Sequence, residues 1–528
     1  MTIEIFFHGA AGCVTGSCFR VRSAAAEILV DCGLFQGSKT LKALNYNAFP
    51  FDPRHLDAVL LTHAHIDHSG QLPKLMRAGF ERTIYATVET QELCEIMLAD
   101  CGHIQESEVE HLNRRNVQRG REAVEAIYTA RDAARVMEQF TAVPLGDWIA
   151  VAPGMRARWW DAGHILGSAS IELEIREDTA GEVRRVMFSG DLGPGGSEFL
   201  NDPDGPIGGV DHLIMESTYG ARVRDATDSV TRRAALAKEL RLAHGHGGPL
   251  LMPAFAVERT QELLADLLQI IDAGEAPPGA IFLDSPLAIK ASEIFFEHGR
   301  KAGRNPFDKI RAAGHLHFLE KAADSDRLEQ VTGWYIIMAG SGMCDAGRIR
   351  KHLKRLLWRD EVSVLLSGYQ AVGTLGRLLQ EGQRNVRIQG EQIKVRAHIR
   401  SLDVYSGHAD APALGRWAKA RAPIQGSLFL VHGEPESLEA LRERIGGEIP
   451  DARVVIPQID ERFVLDATGS SRQAATPRLA QSAVATTDWH NAKSALLNDL
   501  EEALERAPDD AARAALIATL AGRLKQPG

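Results

Sequence analysis

The sequence predicts an α/β protein of more than one domain, and three observations carry that expectation. Short apolar runs of strand length, separated by glycine-containing turns, fill the first part of the chain. From about residue 217 such runs alternate with segments of helical period, the pattern of a parallel sheet with covering helices. The chain has 528 residues, long enough for two large domains or three to four smaller ones.

Taken in order, IEIFF at 3–7, CFRVR at 18–22, EILVD at 27–31 and AVLLT at 58–62 read as strands. Residues 88–140 contain no proline and many Glu, Ala and Leu, and read as helical. VMFSG at 186–190 and HLIME at 212–216 return to buried strands. LLMPA, IFLDS, YIIMAG and VSVLLSG are then strand candidates, and RTQELLADLLQII is a helix with Leu263, Leu264, Leu267, Leu268 and Ile271 on one stripe. LFLVHG at 428–433 is a further apolar strand ending in a polar residue. Residues 466–488 are small and polar and read as a linker. Residues 489–528 form a helical tail, read as two short helices broken at Pro508.

Composition narrows the function. A net charge of −10 excludes a globally basic nucleic-acid coat but allows a locally basic groove. Six scattered cysteines without a CxxC pair exclude a thiolate zinc finger and a disulfide scaffold. The N-terminal segment lacks the pattern of a signal peptide, and no run of about 18 apolar residues occurs, so the expectation is a cytoplasmic protein without a membrane partner.

The segment His63-Ala64-His65-Ile66-Asp67-His68 puts four ligand-capable side chains within six residues, directly after the strand AVLLT. Imidazole with carboxylate suits Zn, Mn or Fe rather than Ca, and the spacing allows two sets to face two metals. His164 in DAGHILGSAS, Asp191 in FSGDLG and His432 in VHGE repeat the arrangement, each a ligand type where a strand runs into a glycine-flanked loop. A bridging aspartate among them would hold two metals about 3.5–4 Å apart. His103 and His111 read as helix-surface positions, and His244 and His246 as loop residues.

HxHxDH, GHxxGS and SGDLG together resemble the metallo-β-lactamase superfamily. MESTYG with Glu216, SGHAD with His408 and VHGE with His432 resemble motifs A, B and C of its β-CASP group. HGAAGCVTGSC, DCGLFQG, DSPLA, AGSGMCDAG and GYQAVGTLGRLL are similar to segments of the same group, in its RNA-processing bacterial and archaeal members. The resemblance covers about residues 1–465 and implies an αββα sandwich with an inserted β-CASP α/β domain. Residues 1–209 and 402–465 would form the metallo-β-lactamase domain and 210–401 the insert.

The resemblance also implies roles. His63, His65 and His164 would hold one metal, Asp67, His68 and His432 the other, with Asp191 bridging and Asp31 orienting ligands from behind. The cofactors would be two Zn ions, with Mn as an alternative. The implied activity is a two-metal ribonuclease, endonucleolytic, 5′→3′ exonucleolytic or both, acting on single-stranded RNA through a metal-bound hydroxide. Asp67 would join the catalytic set, and His408, supported by Glu216, would be the general acid. Ser341, Gly342 and Arg348 in the turn before a basic helix, and His398 in RAHIRS, are the expected phosphate contacts. A DNA nuclease or a small-molecule hydrolase on the same scaffold is the alternative, and a homodimer is left open.

Overall fold

The computed structural model describes residues 3–118, 120–176, 182–224, 228–301, 314–449, 452–480, 484 and 489–524. Two sheets packed face to face form one unit. The first has eight strands in the spatial order Ser470–Gln473, Glu461–Leu465, Ile3–Phe7, Phe19–Arg22, Glu27–Val30, Ala58–Leu60, Thr83–Ala86 and Phe140–Ala142. The second has seven, in the order Arg453–Val455, Ser427–Val431, His212–Glu216, Val183–Phe188, Ala169–Arg176, Met155–Asp161 and Ile149–Ala152.

Alternation along the strands decides what lies between them. Ile5, Phe7, Val21 and Ile28 of the first sheet meet Trp159, Ile171, Phe188 and Phe429 of the second in one buried core. The Phe7 and Phe429 rings lie 5.1 Å apart across this layer. The outer faces carry helices. Val88–Gln118 and Leu72–Arg77 cover the first sheet through Leu93, Met97, Leu72 and Leu75. Ala411–Lys419 and Pro435–Glu448 cover the second through Leu414, Trp417, Leu438 and Leu441. The result is the αββα sandwich.

A second unit is built on six parallel strands in the order Leu316–Phe318, Ala280–Leu283, Tyr335–Ala339, Leu250–Pro253, Ser363–Leu366 and His398–Ser401. Helix Arg259–Asp272 lies on one face and Ile349–Leu356 on the other, their apolar stripes buried against the sheet. This unit interrupts the second sheet of the sandwich. The chain leaves that sheet after Glu216 and returns to it at Ser427.

Four expectations are corrected. The insert does not begin at 210, because His212–Glu216 is buried along its whole length between two parallel neighbours of the sandwich. The stretch 466–488 is not only a linker: Ser470–Gln473 pairs with Glu461–Leu465 and extends the first sheet. Residues 481–483 and 485–488 of it lie outside the described residues. The helical reading of 88–140 resolves into Val88–Gln118, Ala130–Val136 and a terminal strand Phe140–Ala142, the second helix opening on a capping box at Thr129 and Asp132. His244 ends a helix, Ser229–Gly245, rather than sitting in a loop. The tail forms helices Trp489–Arg506 and Asp510–Leu524, and Asn385 Nδ2 of the second unit donates to Glu502 Oε1 at 2.6 Å. Among the described residues no helix is long and apolar enough to cross a membrane.

Candidate metal centre

The ligand-type side chains converge because strands end together. Ala58–Leu60 runs into His63–His68, Val183–Phe188 into Asp191, and Ser427–Val431 into His432. His432 leaves its strand with φ +50, a sharp turn that aims the imidazole back toward the sheets.

Two clusters result. His63, His65, His164 and Asp191 form one; Asp67, His68 and His432 form the other. In the first, His63 Nε2 lies 3.1 Å from His65 Nδ1, and His164 Nε2 lies 3.2 Å from the same atom. Asp191 Oδ2 is 3.5 Å from His63 Nε2 and 3.6 Å from His164 Nε2. In the second, His68 Nε2 and His432 Nε2 are 3.2 Å apart. Asp191 Oδ1 is 3.4 Å from His68 Nε2 and 3.7 Å from His432 Nε2, and Asp67 Oδ2 is 3.6 Å from His432 Nε2. Asp191 thus turns one oxygen to each cluster. The edge of a tetrahedron with metal–ligand bonds of about 2.0–2.1 Å is about 3.3–3.4 Å. The donor set and its spacings fit two such ions.

The rings' remaining nitrogens assign the tautomers. His68 Nδ1 donates to Asp31 Oδ2 at 2.7 Å, and His164 Nδ1 to the carbonyl of Gly407 at 2.7 Å. Thr62 Oγ1 donates to Asp31 Oδ1 at 3.0 Å, so it accepts from His63 Nδ1, also at 3.0 Å. Thr218 Oγ1 donates to the carbonyl of His432 and accepts from His432 Nδ1 at 3.0 Å. With their protons held on Nδ1, these four rings would each turn an Nε2 lone pair to an ion bound at the centre. Asp31, at φ +62, also accepts from Ser17 Oγ and the Thr62 amide. Thr62, Thr218 and Gly407 were not singled out from sequence, although each adjoins a recognised motif.

Electrostatics follow from burial. Burial and the nearby His68 hold His63 well below the ordinary imidazole range, and burial lowers His65 to about 4, so both rings are neutral donors. Burial works against charge on His68 and His432, but Asp191 and Asp31 hold His68 well above the ordinary imidazole range and Asp191 and Asp67 raise His432. These two rings favour their charged forms and, against its own burial, pull the Asp191 carboxyl well below its usual range.

Glu216, 1% exposed, accepts from the Leu192 amide, and His408 Nδ1 lies 3.2 Å from each of its carboxylate oxygens. The His408 ring lies 4.5 Å from that of His164, tilted by 46°, beside the first cluster. Among the described residues its Nε2 has no hydrogen bond.

The parallel unit caps the centre. Phe255 comes within 6.3 Å of the His65 ring, and Gly342 lies under Phe255, where an added Cβ would meet the ring at 2.6 Å. Tyr369 Oη donates to Glu434 Oε1 at 2.5 Å, and Lys42 Nζ to Asp345 Oδ2 at 2.7 Å, both across the cleft.

The expected phosphate contacts are divided: Gly342 lies in the turn under Phe255, whereas Arg348 and His398 are engaged elsewhere. Ser341 Oγ accepts from the Ala346 amide and closes its own turn. Arg348 is held by Asp284 Oδ1 at 2.6 Å and by the carbonyls of Leu319 and Glu320. His398 stacks on His246 with centroids 3.6 Å apart, at the start of its strand and so at the opposite end of the sheet from the 340–347 turn.

Comparison with known proteins follows this geometry. Residues 11–122 match the metallo-β-lactamase superfamily, 260–379 the Beta-Casp domain and 392–457 a Zn-dependent metallo-hydrolase RNA specificity domain. A curated protein named Ribonuclease TTHA0252, from Thermus thermophilus, is 34% identical over 464 residues, 85% of this chain and 98% of that one. Transcription termination factor FttA of Methanocaldococcus jannaschii is 28% identical over 82% of this chain, which spans 67% of that factor's length. An RNase J-like protein of the same organism is 28% identical over 81% of this chain and 92% of its own length.

Proposed function

We propose, from the premise that the chain belongs to the β-CASP group of the metallo-β-lactamase superfamily, that this metal-dependent hydrolase is a two-metal ribonuclease cleaving single-stranded RNA between its two units. The observation that carries the reading is Asp191 with one oxygen turned to each histidine cluster. Two ions there would supply Lewis acidity and a low pKa for bound water, the requirements of phosphodiester hydrolysis.

The chain's own residues do the rest. Asp31, Thr62, Gly407 and Thr218 orient four ligand rings and keep their tautomers. Glu216 accepts from His408 Nδ1–H and favours the doubly protonated ring, whose Nε2–H faces away from Glu216. His408 would act as general acid by giving that Nε2 proton to the leaving oxygen and returning to the neutral Nδ1–H form. Asp67 serves the second cluster. RNA is favoured as substrate because the full-length relative carries a ribonuclease name and residues 392–457 match an RNA specificity domain. Domain limits consistent with the strand pairing put the insert at about 217–401.

The test is cleavage of end-labelled single-stranded RNA and of DNA of the same sequence by metal-loaded protein. RNA-selective cleavage is expected, lost on His408→Ala and on Asp67→Ala with the fold intact. Full activity of either variant would overturn its role. Cleavage of DNA alone, or of neither strand by protein holding two metals, would return the assignment to a DNA nuclease or a small-molecule hydrolase.

A further inference from the structure

A cavity of about 540 Å³ lies between the two units, reaching the metal clusters only at His164. Its walls are the segment 194–197, the loop 404–413 and the start of the helix Arg259–Asp272. His164 and Gly407, joined by the bond from Nδ1 to the carbonyl, form the partition between the cavity and the metal ligands.

Its lining carries four arginines, Arg224, Arg232, Arg259 and Arg416, and four carboxyl groups, those of Asp228, Glu258, Glu262 and Asp410, which are unevenly paired. Arg232 is taken up by Asp266 and Glu262, and Arg259 by Glu262 at 2.6 Å. Asp228 and Asp410 act as helix caps, accepting from the amides of Thr231 and Ala413. Arg224 donates to the carbonyls of Ser406 and His408, which among the described residues leaves other guanidinium hydrogens without a hydrogen bond. Among the described residues neither Arg224 nor Arg416 has a carboxylate within ion-pairing distance. Glu258 is 5% exposed, sits at φ +64, and its Oε2 has no partner. Burial and the neighbouring Glu262 push its carboxyl up to about 8, against the pull of Arg259 and Arg232, so at neutral pH it offers a donor rather than a negative charge. Leu200, Val404 and Pro412 supply an apolar wall.

We propose that this cavity is a second ligand site that takes a nucleoside monophosphate, its phosphate toward Arg224 and Arg416 and its nucleoside against Leu200, Val404 and Pro412. The volume falls in the range of small-molecule sites, about 300–1,000 Å³. Guanidinium groups without a carboxylate partner, beside a neutral acid, suit a phosphate monoester.

The experiment is calorimetric titration of adenosine monophosphate, inorganic phosphate and adenosine into the metal-loaded, full-length protein. Two nucleotide sites per chain are expected, one at the metals and one in the cavity. Arg416→Glu should weaken the second about tenfold or more with metal content unchanged. Val404→Trp, which fills the apolar wall, should remove nucleotide but not phosphate from it, and Glu258→Gln should keep it at neutral pH. Adenosine should bind at least tenfold more weakly than its monophosphate. A single nucleotide per chain in the wild type, two unaltered sites in both Arg416→Glu and Val404→Trp, or equal affinity for adenosine would overturn the proposal.

Discussion

Thr218 shows how much of a metal site rests on residues that are not ligands. Its hydroxyl fixes the tautomer of His432 by accepting from Nδ1 while donating to the same residue's carbonyl. Thr218→Val keeps the shape and removes that acceptor. Outer partners of this kind are worth about 10–100-fold in metal affinity or activity. Chelator competition should show the second metal leaving first, with His68 and Asp67 unchanged in sequence. His8 makes a different residue-scale prediction, about pH. Burial, with Arg20 and Arg478, lowers its pKa to about 4 against the opposing pull of Asp460, although His8 Nδ1 lies 3.4 Å from Asp460. Between pH 6.5 and about 4 the unfolded chain therefore binds the proton that the folded chain refuses. Its contribution to stability is intact above pH 6.5 and falls as pH falls through that window, by on the order of 3 kcal/mol. Melting temperatures of wild type and His8→Asn measured across this range should converge toward acid.

At the scale of elements, the centre is a meeting of strand ends with a glycine turn pressed over it. Gly342 carries the Phe255 ring, which in turn faces His65. Gly342→Ala puts a methyl group where the ring lies at 2.6 Å, so the ring or the turn must shift. Cleavage should fall several-fold while both metals stay bound, as metal analysis beside kinetics would show. The elements explain what the sequence revealed and what it did not. HxHxDH is local, so four ligand types and their strand were legible at once. Asp191 and His432 were legible singly, as ligand types at strand ends, but their roles as bridge and second-cluster ligand came through resemblance, because pairing depends on how separate strands align. Two of the expected phosphate contacts, Arg348 and His398, are placed elsewhere for a physical reason. A basic residue after a glycine turn looks the same in sequence whether it faces solvent or, like Arg348, lies against a buried Asp284. His398 failed because a strand has two ends, and only pairing tells which end faces the site. The strand His212–Glu216 was recognised as a strand, but its apolar pattern suits either parallel sheet.

At the scale of the molecule, the two units are clasped across the centre by Tyr369 with Glu434 and Lys42 with Asp345, and by Val14 packed on Met343 and Ala371. The αββα sandwich is completed only after the inserted unit, since Ser427–Val431 pairs with His212–Glu216. The same order holds for the ligands. The first cluster is complete at Asp191, whereas the second needs His432, roughly 240 residues later. At about 5–20 residues per second, the ligands of the first cluster are all synthesised some 10–50 s before His432, with Gly407, which orients His164, following in between. Two ions held there would thus have ligand sets that become complete at different points of synthesis.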